Sequence, residues 1–297
     1  MPLTQETKTR RSRTTGAKAA EILDEAARRR RRTIRWPTDA SWLREITPAP
    51  QRVLSRMKSR GLLYGAGTNR YVIAPHGTIS VEQAAARELL VDLVLGPRGP
   101  YYVGFLSSLI AHRLTDLHSE LIYAAVPEGK RPRKVPPGLK IAELSPAAWP
   151  GDGTGEIERV RMIEGTKEFA FRTSLERSLI DGLLRPDLCG GFETVVSAWA
   201  RAARRSDVSW DDVALIARRI GDATSRRTAF MLGLLGFDAI VDRHFAELEG
   251  RKTNTVLDRS RGFTLEPDEL ERDPRTGVVL NVPRSYLRGW IQGAAIG

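Results

Sequence analysis

Gln51, Arg52, Ser55, Arg56 and Ser59 are spaced to line one side of a helix. At 100° per residue, Arg52, Ser55 and Ser59 fall opposite Val53, Leu54 and Met57, with Gln51 and Arg56 on the flanks. Arg and Gln side chains hydrogen-bond base edges, and Arg and Ser hold phosphate oxygens. Such a face suits recognition of a polyanion rather than bond breaking. A second basic group, Arg28 to Arg32, is five adjacent cations at the end of another predicted helix. The dipole of a helix C-terminus favours arginine there. Five together still repel one another unless an anion from outside neutralises them.

The residues that usually carry catalysis do not assemble. The four histidines are His76, His112, His118 and His244, and no acidic residues join them at ligand spacing, so no metal or other cofactor is expected. Cys189 is the one cysteine, which excludes an intramolecular disulfide, and a lone cysteine reads as a small buried hydrophobe. There is no Walker A loop and no G-x-G-x-x-G fingerprint. Glu176 is explained as a helix-capping residue, and Arg177 with Asp181 as an ion pair one helical turn apart. No catalytic residue is assigned.

Several elements must position the basic groups. Residues 1–16 are polar and basic and read as a flexible arm. Ala19, Ile22, Leu23 and Ala26 predict a first helix over 17–31. Thr38 caps a short second helix carrying Trp42, Leu43 and Ile46. Thr47 then serves as N-cap and Pro48 as first residue of a third helix over 48–60, which Gly61 ends. Leu62 to Tyr64 and Tyr71 to Ile73 bracket a Gly/Asn turn and predict a hairpin. Helix, short helix, exposed basic helix and hairpin, in that order, predict a winged helix-turn-helix whose third helix enters the major groove. The residues expected to contact DNA are Arg28, Arg29, Arg30, Arg31, Arg32, Arg35, Thr38, Gln51, Arg52, Ser55, Arg56, Ser59, Asn69 and Arg70.

Charge supports that placement. Residues 1–75 hold 17 Lys and Arg against 6 Asp and Glu, whereas residues 76–297 hold 30 of each. The net charge of +11 therefore belongs to the first quarter, and the commonest partner of a compact basic module is the nucleic-acid backbone. No apolar run approaches the ~20 residues of a membrane span, and no signal-peptide core opens the chain, so a cytoplasmic protein away from membranes is expected.

The Ala74–Thr78 stretch breaks the pattern and suggests two domains, 1–75 and 76–297. The second is expected to be larger and mostly helical with a small sheet. Ser80 with Gln83 predicts a helix to about 95, followed by an apolar helix over 103–113 and a strand over 121–126. A Pro-rich loop over 127–138, strands over 157–163 and 168–171, and helices over 174–185, 192–204, 209–221 and 224–235 follow. Thr173 with Glu176 and Ser209 with Asp212 are the expected capping boxes. A short strand over 278–280 and a helix over 286–292 close the chain. The fold class expected is α+β.

Three stretches resemble the AbiEi-type antitoxins, transcriptional regulators encoded beside nucleotidyltransferase-like toxins. They are Ser59 to Tyr64 with Arg70 to Pro75, Tyr101 to Leu109 with His112, Leu114 and Thr115, and Thr173 to Asp181 with Cys189 to Gly191. The second is similar to a Gly-x-Leu-Ser-Ala-Leu segment of that family, and the third to its Glu-Arg-Thr-Leu-x-Asp helix and following Gly-Gly. Together they span roughly residues 35–240. The arginine-rich arm and the tail beyond about 250 depart from the family. The resemblance implies a repressor that binds inverted repeats in its own promoter. It also implies a C-terminal antitoxin domain that counteracts the toxin, with or without direct contact. The alternative is a ligand-responsive winged-helix regulator with no toxin partner.

Overall fold

The fold was analysed as a computed structural model, which describes residues 5–65, 69–74, 89, 91–135, 138–151, 153–161, 169–250, 253–260 and 271–294. It is mixed α+β, about 48% helix and 16% strand, so helices carry most of the core and the sheets are small. The chain divides into two compact units. The first comprises Met1–Pro100, Lys134–Pro137 and Arg159–Ala170, and the second comprises Tyr101–Arg133, Gly138–Glu158 and Phe171–Gly297. The boundary expected at 75–76 and the Ser80/Gln83 capping box lie outside the described residues.

In the first unit the elements follow the order α1 (Gln5–Arg28), β1 (Thr33–Arg35), α2 (Ala40–Ile46), α3 (Pro50–Ser59), β2 (Leu63–Gly65) and β3 (Arg70–Ile73). The three strands form an antiparallel sheet in the order β1-β3-β2. Helix α1 reaches back to Gln5, where a flexible arm to Gly16 was expected. Strand β1 was not anticipated. Its two β-branched residues, Thr33 and Ile34, are buried and pair with Val72 and Tyr71. Ile22 and Ala26 of α1, Ile34, Leu43 of α2 and Leu54 and Met57 of α3 close one apolar core.

The caps differ from the sequence expectation. Asp39, not Thr38, precedes α2, and its carboxylate accepts a hydrogen bond from Arg35 N at 2.6 Å. Pro50, not Pro48, occupies the first turn of α3, because Thr47 Oγ1 accepts from Ala49 N at 3.3 Å and holds the chain extended before the helix. The far end is as expected. Gly61 takes φ +73 after α3, and Leu62 N donates back to Met57 O at 3.0 Å.

The larger sheet has the order β6-β5-β4-β8-β7, from β4 (Tyr102–Val103), β5 (Ile122–Pro127), β6 (Leu139–Leu144), β7 (Ile157–Arg161) and β8 (Phe169–Thr173). Strand β4 pairs antiparallel with β5 and parallel with β8, and β5 runs parallel to β6 over Ile122↔Leu139 to Pro127↔Leu144. Strand β6 was absent from the sequence expectation. The helix expected from 103 begins later, as α4 (Phe105–Ala111), because Tyr102 and Val103 are strand. Helices α5 (Leu175–Leu184), α6 (Phe192–Ala202), α7 (Trp210–Ile220), α8 (Asp222–Leu234), α9 (Asp238–Phe245) and α10 (Arg284–Gly293) complete the second unit. Helix α9 was also not expected. Trp199 is fully buried at their centre and stacks on Trp210, which stacks on Phe237 at 4.5 Å between ring centroids.

Candidate nucleic-acid interface

Helix α3 separates its two faces as its spacing requires. Val53, Leu54 and Met57 are buried, while Gln51, Arg52, Ser55, Arg56 and Ser59 are exposed. Lys58 and Arg60 are exposed beside them and widen the basic strip. Sequence reasoning passed them over, although Lys58 sits in the last turn, where a cation suits the helix dipole. Among the described residues, Arg52, Lys58 and Arg60 pair with no carboxylate. Ser59 Oγ donates to Arg56 O at 2.9 Å, which ties that hydroxyl to its own helix.

The five-arginine run is sorted by its surroundings. Arg28 and Arg29 both reach Glu25, at 2.7 and 2.6 Å, and the Arg29 guanidinium lies over the Trp42 ring. Arg31 lies 3.9 Å from the Asp39 carboxylate. Arg30 is exposed and adopts φ +53. Arg35 pairs with Asp92, and Arg70 donates to Leu93 O at 2.7 Å, so both are half-buried tethers within the first unit. Thr38 is exposed. Asn69 takes φ +59 at the edge of the hairpin, a left-handed position that Asn tolerates better than most residues, and its carbonyl accepts from Trp36 N.

The second unit holds a different kind of constellation, sealed from solvent. Arg177, Asp181 and Tyr102 are fully buried and Glu156 nearly so. Arg177 donates to Asp181 Oδ1 at 2.8 Å, to Glu156 Oε2 at 2.7 Å and to Ala148 O at 2.6 Å. Arg219 closes the group by a two-point contact with Glu156 at 3.1 and 2.9 Å. Burial works against the Arg177 charge, but Asp181, Tyr102 and Glu156 outweigh it, and its pKa is raised. Burial raises Asp181 against the pull of Arg177, and its Oδ2 finds no hydrogen-bond donor among the described residues. Burial likewise drives the Tyr102 phenol well above its usual range. The group forms an internal lattice that joins two cations and two acids, with the part-exposed Arg219 at its edge.

That lattice joins two stretches far apart in sequence. Gly104 packs so closely that a Cβ there would lie 2.6 Å from the Tyr102 ring and 3.1 Å from Asp181 Oδ2. Ser108, Thr173 and Ser178 form a buried ring of hydroxyls at 2.6–2.8 Å, and His112 Nε2 donates to Thr173 O at 2.8 Å. The N-cap of α5 is Ser174, not Thr173, because Thr173 is taken up in this ring. Glu176 does not complete a capping box either, since it accepts from Ser209 N instead. Ser209 does cap α7, accepting from Asp212 N at 3.3 Å. The residues that stand out in sequence over 101–115 and 173–181 are therefore explained by one shared core.

Cys189 and His244, two further groups capable of chemistry, are each held in place. Cys189 is fully buried, and burial pushes its thiol well above its ordinary pKa, the reverse of an activated nucleophile. His244 contacts Asp211 at 2.6 Å and Arg243 shares that carboxylate. Among the described residues, no group of three His, Cys, Asp or Glu is placed to hold a metal ion, and no helix is long and apolar enough to cross a membrane. Clefts open among the described residues of the second unit. One of about 310 Å³ lies over Glu156, Glu176, Asp212, Leu215 and Arg219. One of about 440 Å³ lies over Phe230, Asp273, Arg275, Arg284 and Arg288.

No protein-family profile matches the chain, and no curated protein matches it. Among solved structures, the crystal structure of the RV2827C protein from Mycobacterium tuberculosis is similar over 92% of this chain and 94% of that one, with a TM-score of 0.63. The two sequences are 15% identical over that match. At that identity the likeness carries the fold alone, and this chain shares the overall fold of that protein across nearly all of its length.

Proposed function

We propose that the first unit is a winged helix-turn-helix that binds duplex DNA, and that the chain represses its own promoter as the antitoxin of a toxin–antitoxin pair. The observation that carries the DNA-binding part is α3, an exposed basic face with three cations that no described carboxylate neutralises. The element order α1-β1-α2-α3-β2-β3, the three-residue turn between α2 and α3, and the sheet order β1-β3-β2 support it. In this reading α3 enters the major groove, and the β2–β3 hairpin lies along the backbone beside it. Phosphate contacts supply most of the affinity, and Arg52, Gln51, Ser55 and Arg56 read base edges.

The antitoxin part rests on the resemblance to the AbiEi-type family. The buried lattice around Arg177 supports a structural role for Tyr102, Gly104, Arg177 and Asp181, four of the residues that carry the resemblance. The cognate toxin is expected to be nucleotidyltransferase-like.

The test is binding of the purified chain to its own upstream region and to scrambled DNA of equal length, across a salt series. Preference for its own promoter, with a steep salt slope on both DNAs, is the expected result. Equal weak binding to both reduces the first unit to non-specific electrostatics and sinks the repressor reading. Co-expression with a nucleotidyltransferase-like toxin, where one is encoded beside this chain, tests the antitoxin half, and continued toxicity refutes it. A metabolite bound in the 440 Å³ cleft, with no toxin gene adjacent, would make the chain a ligand-responsive regulator instead.

A further inference from the structure

The end of α1 holds an arginine where the backbone asks for glycine. Arg30 N donates to Ala27 O at 2.9 Å and Arg31 N to Ala26 O at 2.8 Å, the paired bonds of a Schellman turn. In that turn the residue after the cap is left-handed, and Arg30 takes φ +53. Glycine adopts this conformation freely, whereas an L side chain brings its Cβ against the following carbonyl. Arginine at this position is therefore strained, and glycine would relieve that strain.

The neighbours of Arg30 have uses inside the protein. Arg28 and Arg29 share Glu25, and Arg31 faces Asp39. Arg30 is exposed, and among the described residues no carboxylate or carbonyl accepts from its guanidinium. Asp39 precedes α2, so the residue next to Arg31 stands by the start of α2. In a helix-turn-helix the helix before the recognition helix crosses the sugar-phosphate backbone.

We infer that Arg30 is a phosphate contact of the DNA complex, held in a strained left-handed turn that presents its unpaired guanidinium to the backbone beside α2. This assignment rests on the DNA-binding reading above and names the arginine of the run that carries it. Arg28, Arg29 and Arg31 are held within the chain by Glu25 and Asp39.

The chain contains its own control. Arg113 ends α4 in the same turn, with φ +59 and the same pair of bonds, Arg113 N to Ile110 O and Leu114 N to Leu109 O. It is also exposed, but it lies in the second unit, outside the basic quarter. Full-length wild type, Arg30→Gly, Arg30→Lys and Arg113→Gly are compared for thermal unfolding and for binding to the promoter duplex and a scrambled duplex across a salt series. Both glycine variants are expected to raise Tm, by roughly 2–4 °C. Only Arg30→Gly is expected to weaken DNA binding, by several-fold on both duplexes, with a salt slope shallower by about 0.9. Arg30→Lys keeps the slope. A wild-type slope in Arg30→Gly overturns the contact, as does an equal loss in Arg113→Gly. A lower Tm in Arg30→Gly overturns the strain argument. If wild type itself shows no salt-dependent binding, the DNA-binding reading falls and takes this one with it. Intact wild-type binding beside an unaltered Arg30→Gly sinks this assignment alone.

Discussion

Arg177 shares its enclosure with two acids, and the balance of charge there decides what its loss does. Glu156 keeps Arg219 as a partner, but Asp181 would be left buried without a cation. Arg177→Met should therefore destabilise the protein by about 3–5 kcal/mol, read by urea unfolding. Adding Asp181→Leu should restore most of that loss, because the orphaned carboxylate goes too. If the double variant is as weak as the single, the cost lies in packing around Tyr102 and not in charge. His112 gives a pH counterpart. Burial lowers its pKa below 6.5, so the unfolded chain binds the proton first as pH falls. The folded state should lose stability as pH drops below about 6.5, and His112→Gln, which keeps a donor towards Thr173 O, should flatten that decline. An unchanged acid limb would clear His112 of the effect. At the other site, Arg52→Ala should weaken promoter binding by about 1–3 kcal/mol and relax specificity at one base pair. A loss equal on promoter and scrambled DNA would make Arg52 a phosphate contact instead.

At the scale of elements, α3 depends on how its ends are made. Gly61 sits at φ +73 with open space where a Cβ would go, so the only penalty for a side chain there is backbone strain. Gly61→Ala should cost about 1 kcal/mol and Gly61→Asn less, since Asn tolerates the left-handed region. Equal unfolding midpoints for the two would remove that explanation. This stop was legible in the sequence because glycine there has one local job. The start of α3 was not. Thr47-Pro48 and Ala49-Pro50 both satisfy the rule for a helix start, and only the Thr47 hydroxyl bond to Ala49 selects the second. Strands β1 and β6 escaped for a related reason. Thr33 to Arg35 is three residues long, and Leu139 to Leu144 puts Ile141 and Ala142 in the core one after the other, so neither shows a clean alternation. Helix α7 was legible because Ser209 and Asp212 mark its start, and Val213, Ile216 and Ala217 then recur at helical spacing. Of the buried lattice, Arg177 and Asp181 could be paired from their spacing. Glu156, Tyr102 and Arg219 are brought in by tertiary packing alone.

Over the whole molecule, the split of charge sets how salt should act. The second unit neutralises many of its own cations: Arg185 with Asp187, Arg201 with Asp116, Arg205 with Asp207, and Arg275 with Asp238 and Asp242. The first unit spends Glu25, Asp39 and Asp92 on some of its arginines and leaves Arg30, Lys58 and Arg60 exposed along with the base-reading Arg52. Each phosphate contact contributes about −0.9 to the slope of log affinity against log salt. Three such contacts, from Arg30, Lys58 and Arg60, give a slope of about −3, a loss of roughly 40-fold between 50 and 200 mM salt. A slope near −1 would mean that α3 and Arg30 do not lie on the backbone together. The same division predicts separable functions. Arg52→Ala with Arg56→Ala in the full chain should abolish promoter preference and leave the salt slope nearly unchanged, because both side chains read base edges. It should leave toxin neutralisation on co-expression intact, since both residues lie in the first unit. Loss of both activities together would show that neutralisation works through repression of the operon. The second unit would then serve the DNA-binding one and have no separate task.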